Sequence, residues 1–151
     1  MTRAELLAFM RSHRYAVQAS VSRDRTPQAA VVGIAVADDL SVFFDTLENT
    51  RKVSNLRHNR GIALVIGGVT AGDERSVQYE GVADEPSGAE LAELKELYFA
   101  CFPDGRERES WPGIMYVRAR PVWIRYSDYN QVPPRIVEFD RASLEGSPTP
   151  P

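Results

Sequence analysis

Phe43-Phe44-Asp45-Thr46-Leu47-Glu48-Asn49-Thr50-Arg51-Lys52 decides the reading of this chain. The stretch leaves a strand pattern carried by Leu40, Val42 and Phe44 and enters a helical one carried by Val53 and Leu56. A short polar turn separates them. Two hydroxyls and two adjacent cations therefore stand where a strand ends and a helix begins. The free N–H groups at a helix start and the positive end of its dipole favour an anion. Arg51 and Lys52 work against that dipole unless something negative is bound, so their position points to a phosphate site, with Thr46 and Thr50 beside them.

Working outward, Thr2-Arg3-Ala4-Glu5 reads as a capping box that opens a helix with Leu6, Phe9 and Met10 on one face. Tyr15 to Ser22 alternates, with Tyr15, Val17, Ala19 and Val21 on its apolar side, and predicts a strand. Gln28 to Val36 is nearly continuous in apolar residues, which predicts one strand buried on both faces. Leu40 to Thr46, Ile62 to Ile66 and Ser76 to Ala83 read as further strands. A second capping box, Ser87-Gly88-Ala89-Glu90, opens a helix carrying Leu91, Leu94, Leu97, Tyr98 and Cys101. Ile114 to Arg120 and Val122 to Tyr129 read as two strands divided by Pro121, and Ile136 to Phe139 as a last short one. The first turns are too short for parallel crossovers, so the strands are antiparallel. The pattern predicts a mainly β fold with flanking helices, an antiparallel β-barrel in one domain over residues 1–140. Residues 141–151 have the composition of a disordered tail.

Composition sets the class. The chain has 151 residues, 43% hydrophobic and 26% charged, enough for one normal core. Its net charge of −3 argues against general nucleic-acid binding. No apolar run has membrane-spanning length, and Cys101 is the one cysteine. These features fit a cytoplasmic protein with no disulfide and no cysteine-based metal site. His13 and His58 read as helix-end residues that pair into no metal site. Cys101 reads as inert core. Gly67-Gly68-Val69-Thr70-Ala71-Gly72 lacks both the dinucleotide spacing and the Lys-Ser/Thr of a P-loop, and reads as a turn.

With strands and motif placed, the chain resembles the pyridoxamine-5′-phosphate oxidase-like family of flavin-binding split β-barrels, over roughly Tyr15 to Tyr129. The resemblance rests on Phe44-Asp45-Thr46 with Thr50-Arg51-Lys52 at fixed spacing. Asn55-Leu56, then Asn59-Arg60-Gly61-Ile62-Ala63-Leu64-Val65, and the strand Ser76-Val77-Gln78-Tyr79-Glu80-Gly81-Val82-Ala83 complete it. It implies FMN as cofactor, with the phosphate on Thr50, Arg51 and Lys52. Thr46 and the backbone of Ala30, Val31 and Val32 would lie beside the ring. Ser76 and Gln78, on one side of their strand, are candidates for ring atoms. It also implies a homodimer with flavin sites at the subunit interface, and an oxidoreductase whose flavin carries the hydride chemistry. Trp111, Tyr116, Trp123, Tyr126 and Tyr129 are then core or dimer-interface aromatics.

The chain departs from the authentic oxidase in two places. The second strand carries no arginine, and a C-terminal Arg-Leu-His-Asp-type segment is replaced by Tyr126-Ser127-Asp128-Tyr129-Asn130-Gln131-Val132-Pro133-Pro134-Arg135. The fold and cofactor carry over better than the substrate, which stays unassigned, as does any catalytic side chain. Two alternatives stand beside FMN-dependent oxidoreduction. One is a reductase using the deazaflavin F420; the other is a non-enzymatic flavin- or haem-binding protein.

Overall fold

The computed structural model describes residues 1–145. Helix α1, Arg3–Arg11, starts on the capping box: the Glu5 N–H donates to Thr2 Oγ1 at 3.1 Å and the Thr2 N–H to Glu5 Oε2 at 2.6 Å. Its Leu6, Phe9 and Met10 close one end of the core. The strands that follow are β1 (Tyr15–Val21), β2 (Pro27–Gly33), β3 (Ala35–Val36) and β4 (Val42–Leu47). Helix α2 (Arg51–His58) leads into β5 (Gly61–Gly67) and β6 (Arg75–Asp84). Helices α3 (Gly88–Cys101) and α4 (Gly105–Arg108) precede β7 (Ile114–Asp128), β8 (Arg135–Phe139) and the short α5 (Arg141–Glu145).

Every pairing is antiparallel, in the order β2-β1-β5-β6-β7-β4-β3, with β8 on the second half of β7. The sheet curls into a split barrel. Strand β2 ends it on one side of the split, and the β4–β3 hairpin ends it on the other. Inward residues fill the interior: Ile62, Leu64 and Ile66 from β5, Val77 and Tyr79 from β6, and Phe44 from β4. Fully burying each large apolar side chain stabilises the fold by about 1.5–3 kcal/mol. Tyr79 spans the centre and donates its hydroxyl to the Ala119 carbonyl at 2.7 Å, so the one polar atom there is matched.

A second cluster lies outside the barrel. Period-two alternation along β4 turns Phe44 and Thr46 inward and Phe43 and Asp45 outward. Phe43 stacks on Tyr116 with ring centroids 5.5 Å apart, and Tyr98, Phe99 and Phe102 of the α3 region pack over them. Asp45 fixes the helices to the sheet by accepting from the Tyr98 hydroxyl at 2.8 Å and from Arg108 Nε at 2.9 Å.

Several elements differ from the sequence reading. In β1 the side chains that enter the barrel are Ala16, Gln18 and Ser20, while Tyr15, Val17, Ala19 and Val21 lie on the outer face. The segment from Gln28 to Val36 is broken at Ile34, whose N–H turns to the Arg14 carbonyl at 2.9 Å. Gly33 ends β2 where a Cβ would sit 2.8 Å from the Phe102 ring. Strand β2 is an edge strand with Ala29 and Val31 exposed, so it is not buried on both faces. Leu40 precedes β4 in a left-handed turn at φ +68°. Strand β7 runs unbroken through Pro121, because the register against β6 shifts at Glu80/Gly81; a bulge there leaves no ladder bond for the proline to lose.

Further corrections concern α3 and the C-terminal region. Ser87 makes no side-chain cap bond, and Glu90 reaches Arg118 at 3.2 Å instead. Cys101 is exposed on α3, and Phe99 takes the buried position. Of the aromatics flanking the last strands, Tyr116 and Tyr126 are core, whereas Trp111 and Tyr129 are exposed. The disordered tail expected over 141–151 begins with α5; residues 146–151 lie outside the described residues.

Candidate anion-binding site

The turn between β4 and α2 sits at the mouth of the split. Thr46 is the last inward residue of β4, one pleat beyond Phe44, so its hydroxyl continues the interior surface where the packing turns polar. Thr50 is the N-cap of α2 and has extended backbone, but its side chain makes no capping bond, and the first turn holds no acidic residue. Its hydroxyl lies 3.4 Å from Thr46 Oγ1, which also accepts from Lys52 Nζ at 3.2 Å. The first N–H groups of α2 are therefore left for an outside acceptor.

The charges agree. Among the described residues, neither Arg51 nor Lys52 pairs with a carboxylate. The other end of the same helix is matched: Arg57 binds Glu48 at 3.0 Å and Glu85 at 2.7 Å. Lys52 is half-buried, and loss of hydration pushes its ammonium below the usual lysine value. A partly desolvated cation with no counter-charge is unfavourable until an anion arrives.

These groups border an open hollow of about 380 Å³, within the size range of small-molecule sites. Arg51, Lys52, Thr50 and Asn49 form one wall, Ala29 and Ala30 of β2 the other, and Gln18 and Ser20 the floor, with Gln28 at the side. Asn55 of α2 is buried beneath. Its Nδ2 donates to Ser20 Oγ at 3.1 Å and to Gln28 Oε1 at 2.9 Å, tying the helix to β1 and β2. The hollow holds no carboxylate and no imidazole, so its side chains suit binding and orientation rather than proton transfer. A more enclosed cavity of about 210 Å³ lies at the far end of α2, below the usual size of ligand pockets.

The structure thus gathers Thr46, Thr50, Arg51, Lys52 and Ala30 at one place. Val31 points to the outer face and Val32 into the core, so this part of β2 offers the site its backbone. As an edge strand, β2 has unpaired backbone donors and acceptors along the split. Ser76 and Gln78 are not brought to the hollow within one chain. Ser76 borders a shallow depression with Gly68 and Tyr129, and Gln78 is exposed on the outer face of β6. Sequence reasoning missed Gln18 and Ser20 as site residues. Their signal was two polar side chains at alternate positions of a strand, which read as the solvent side. Among the described residues, no group of three His, Cys, Asp or Glu side chains could hold a metal ion, and no helix is long and apolar enough to cross a membrane.

Comparison with known proteins agrees with this architecture. No curated protein matches the chain. A haem-binding protein from Mycobacterium smegmatis superposes with a TM-score of 0.81 at 16% identity, over 95% of this chain and 60% of that one. This chain therefore spans about three fifths of that protein's length. The haem storage protein HutZ from Vibrio cholerae has a TM-score of 0.69 at 14% identity, over 80% of this chain and 91% of its own. An FMN-binding, pyridoxamine 5′-phosphate oxidase-related protein from Nostoc punctiforme has a TM-score of 0.67 at 13% identity, over 91% and 87%. At such identities these likenesses establish the split-barrel fold. The sequence signature described as pyridoxamine 5′-phosphate oxidase matches residues 2–128, which include every strand up to β7, the motif at the start of α2 and the floor of the hollow. The chain belongs to the pyridoxamine 5′-phosphate oxidase family.

Proposed function

We propose that this protein binds FMN as a homodimer and acts as a flavin-dependent oxidoreductase. One observation carries the reading: among the described residues Arg51 and Lys52 have no carboxylate partner, and they stand at a helix start with no side-chain cap, beside two hydroxyls and an edge strand. Arg51, Lys52 and the first N–H groups of α2 would hold the phosphate, with Thr46 and Thr50 adding hydroxyl contacts. The free edge of β2 at Ala30, Val31 and Val32 would meet the polar rim of the ring. When bound, the flavin supplies the redox chemistry.

Haem suits the site less well, although two of the structural relatives bear haem-related names. The His13 ring lies on Phe9 with Nδ1 2.9 Å from the Phe9 carbonyl, and His58 is exposed at the opposite end of α2 from the cations. Neither borders the hollow.

The dimer is supported by the outer face of the sheet. Val31, Val17, Val65 and Gln78 align in one row across β2, β1, β5 and β6, and Ala29, Ala19, Ala63 and Glu80 in the next. Val31 is 67% exposed and Val65 43%. A run of small apolar side chains over β2, β1 and β5 suits a contact surface. Ser76 and Gln78 lie on the same outer face, where a partner's site could reach them.

Titrating FMN into the apoprotein while following the flavin spectrum tests the reading, with sedimentation of the same sample. Expected are one FMN per chain and a dimer at micromolar concentration. Preference for F420 or haem over FMN would overturn the cofactor assignment, and a species near 16.9 kDa would overturn the dimer.

A further inference from the structure

Gln18 is a polar residue whose burial the packing of the barrel does not explain. It lies mid-strand on the inward side of β1, opposite Ala30 of β2 and Leu64 of β5. Only 1% of it is exposed, and its amide oxygen has no hydrogen-bond partner among the described residues. An unmatched buried carbonyl carries the full cost of its lost hydration. An aliphatic residue would fill the same space beside Leu64 without that cost.

The surroundings say what the amide is for. The neighbouring oxygens are already engaged, since Ser20 Oγ and Gln28 Oε1 both accept from Asn55. Gln18 borders the hollow, and the terminal torsion of a glutamine is soft, so turning about it brings the amide oxygen to whatever lies there. Lys52, Arg51 and Thr50 border the same hollow. A molecule whose anion rests on the cations must cross the floor to reach the edge of β2.

We propose that Gln18 accepts a hydrogen bond from a hydroxyl of a phosphorylated polyol whose phosphate is held at Arg51 and Lys52. This rests on the FMN reading, in which the polyol is the ribityl chain. It makes Gln18 the residue that favours a hydroxyl-bearing phosphate monoester over carboxylate-tailed ligands, which bring acceptors and no hydroxyl donors near neutral pH.

The test uses ribitol 5-phosphate, which has the phosphate and hydroxyls but no ring, beside inorganic phosphate and FMN. Calorimetry compares the wild type with Gln18→Leu and Gln18→Met, which keep the volume and remove the amide. Expected is a loss of about tenfold in affinity for ribitol 5-phosphate and for FMN, with inorganic phosphate within twofold of wild type. The melting temperature of the apo variants should be equal to or above that of wild type, because an unmatched buried amide has been removed. Ribitol 5-phosphate affinity unchanged in both variants would overturn the proposal. A parallel loss for inorganic phosphate would overturn it too, since Gln18 would then only be shaping the cation wall. If ribitol 5-phosphate binds through Gln18 while FMN does not bind, the proposal for Gln18 stands and the FMN reading falls.

Discussion

Replacing both Arg51 and Lys52 by alanine should separate ligand binding from folding, because the two effects have opposite signs. Lys52 is half-buried, donates to Thr46 at 3.2 Å and has no carboxylate partner among the described residues; Arg51 is exposed beside it. Charge-assisted contacts to phosphate are worth about 1.5–3 kcal/mol when desolvated and less when exposed. The pair should therefore contribute about 3 kcal/mol to binding, or roughly a hundredfold in Kd. In the apoprotein the same two charges oppose the dipole of α2, at about 0.3–1 kcal/mol each. Their removal should raise the apo melting temperature by a few degrees, since about 1 kcal/mol corresponds to roughly 2–4 °C in a chain of this size. Loss of the Lys52–Thr46 bond offsets part of that gain. Quenching of FMN fluorescence gives the affinity, and calorimetric melting of the apoproteins gives the stability. An FMN affinity within threefold of wild type would refute the phosphate assignment. A fall of many degrees in the apo melt would show that the cations serve the fold.

Three further outcomes follow from the same geometry. Because burial lowers the Lys52 pKa from its ordinary 10.5, phosphate binding should be complete below the lowered value and weaken as pH rises through it; Lys52→Arg should abolish that alkaline loss in an FMN titration series. Apo stability should rise over the same interval, since there the unfolded chain binds the proton that the folded chain has lost. Asp45→Ala removes the acceptor shared by Tyr98 and Arg108 and should cost about 2–3 kcal/mol in denaturant melts, with little effect on FMN affinity at temperatures where the variant is folded. Pyridoxamine phosphate should not be oxidised at a useful rate in a coupled peroxide assay with saturating FMN: Asn130 and Gln131 are bonded to Asp128, and Arg135 pairs beside Asp128 at the end of the barrel away from Gln28. Turnover of about 1 per second or faster would contradict this.

The barrel is legible through alternation and short apolar runs, and the candidate anion site through two charges at the unfavourable end of a helix. Ile62 to Ile66 is legible as a β-branched, apolar run, and Ser76 to Ala83 because one face is apolar and the other mixed. Strand β1 was not legible in the same way. Its outer residues Tyr15, Val17, Ala19 and Val21 are more apolar than its inner ones, so the hydrophobicity rule assigns the wrong face to the core. That inversion follows from two structural facts: the outer face is the unpartnered apolar surface, and the inner face is the floor of the hollow. Continuous apolarity in β2 misled for the same reason. The bulge that admits Pro121 into β7 depends on Gly81 in a neighbouring strand, and no local pattern records it.

Several departures from local consistency meet at the hollow, and their meeting there supports the proposed function. Several charges and caps elsewhere are matched. Thr2 caps α1, Arg57 and Arg108 each hold a carboxylate, and Arg118 holds Asp84 at 2.8 Å. The start of α3 also lacks a side-chain cap bond, but Glu90 in its first turn has the sign the dipole favours. Around the hollow several unfavourable features coincide: two cations at a helix start, an N-cap hydroxyl turned away from the helix, a partly desolvated lysine, and a buried glutamine whose amide oxygen has no partner among the described residues. Each alone would be a tolerable defect. Each is also relieved by the same occupant, because a phosphate answers the cations and the free N–H groups while the attached hydroxyls answer the amide. A remedy shared by all four is what the proposed phosphate-ester site predicts, since preorganisation gives up stability in the empty site for affinity in the filled one.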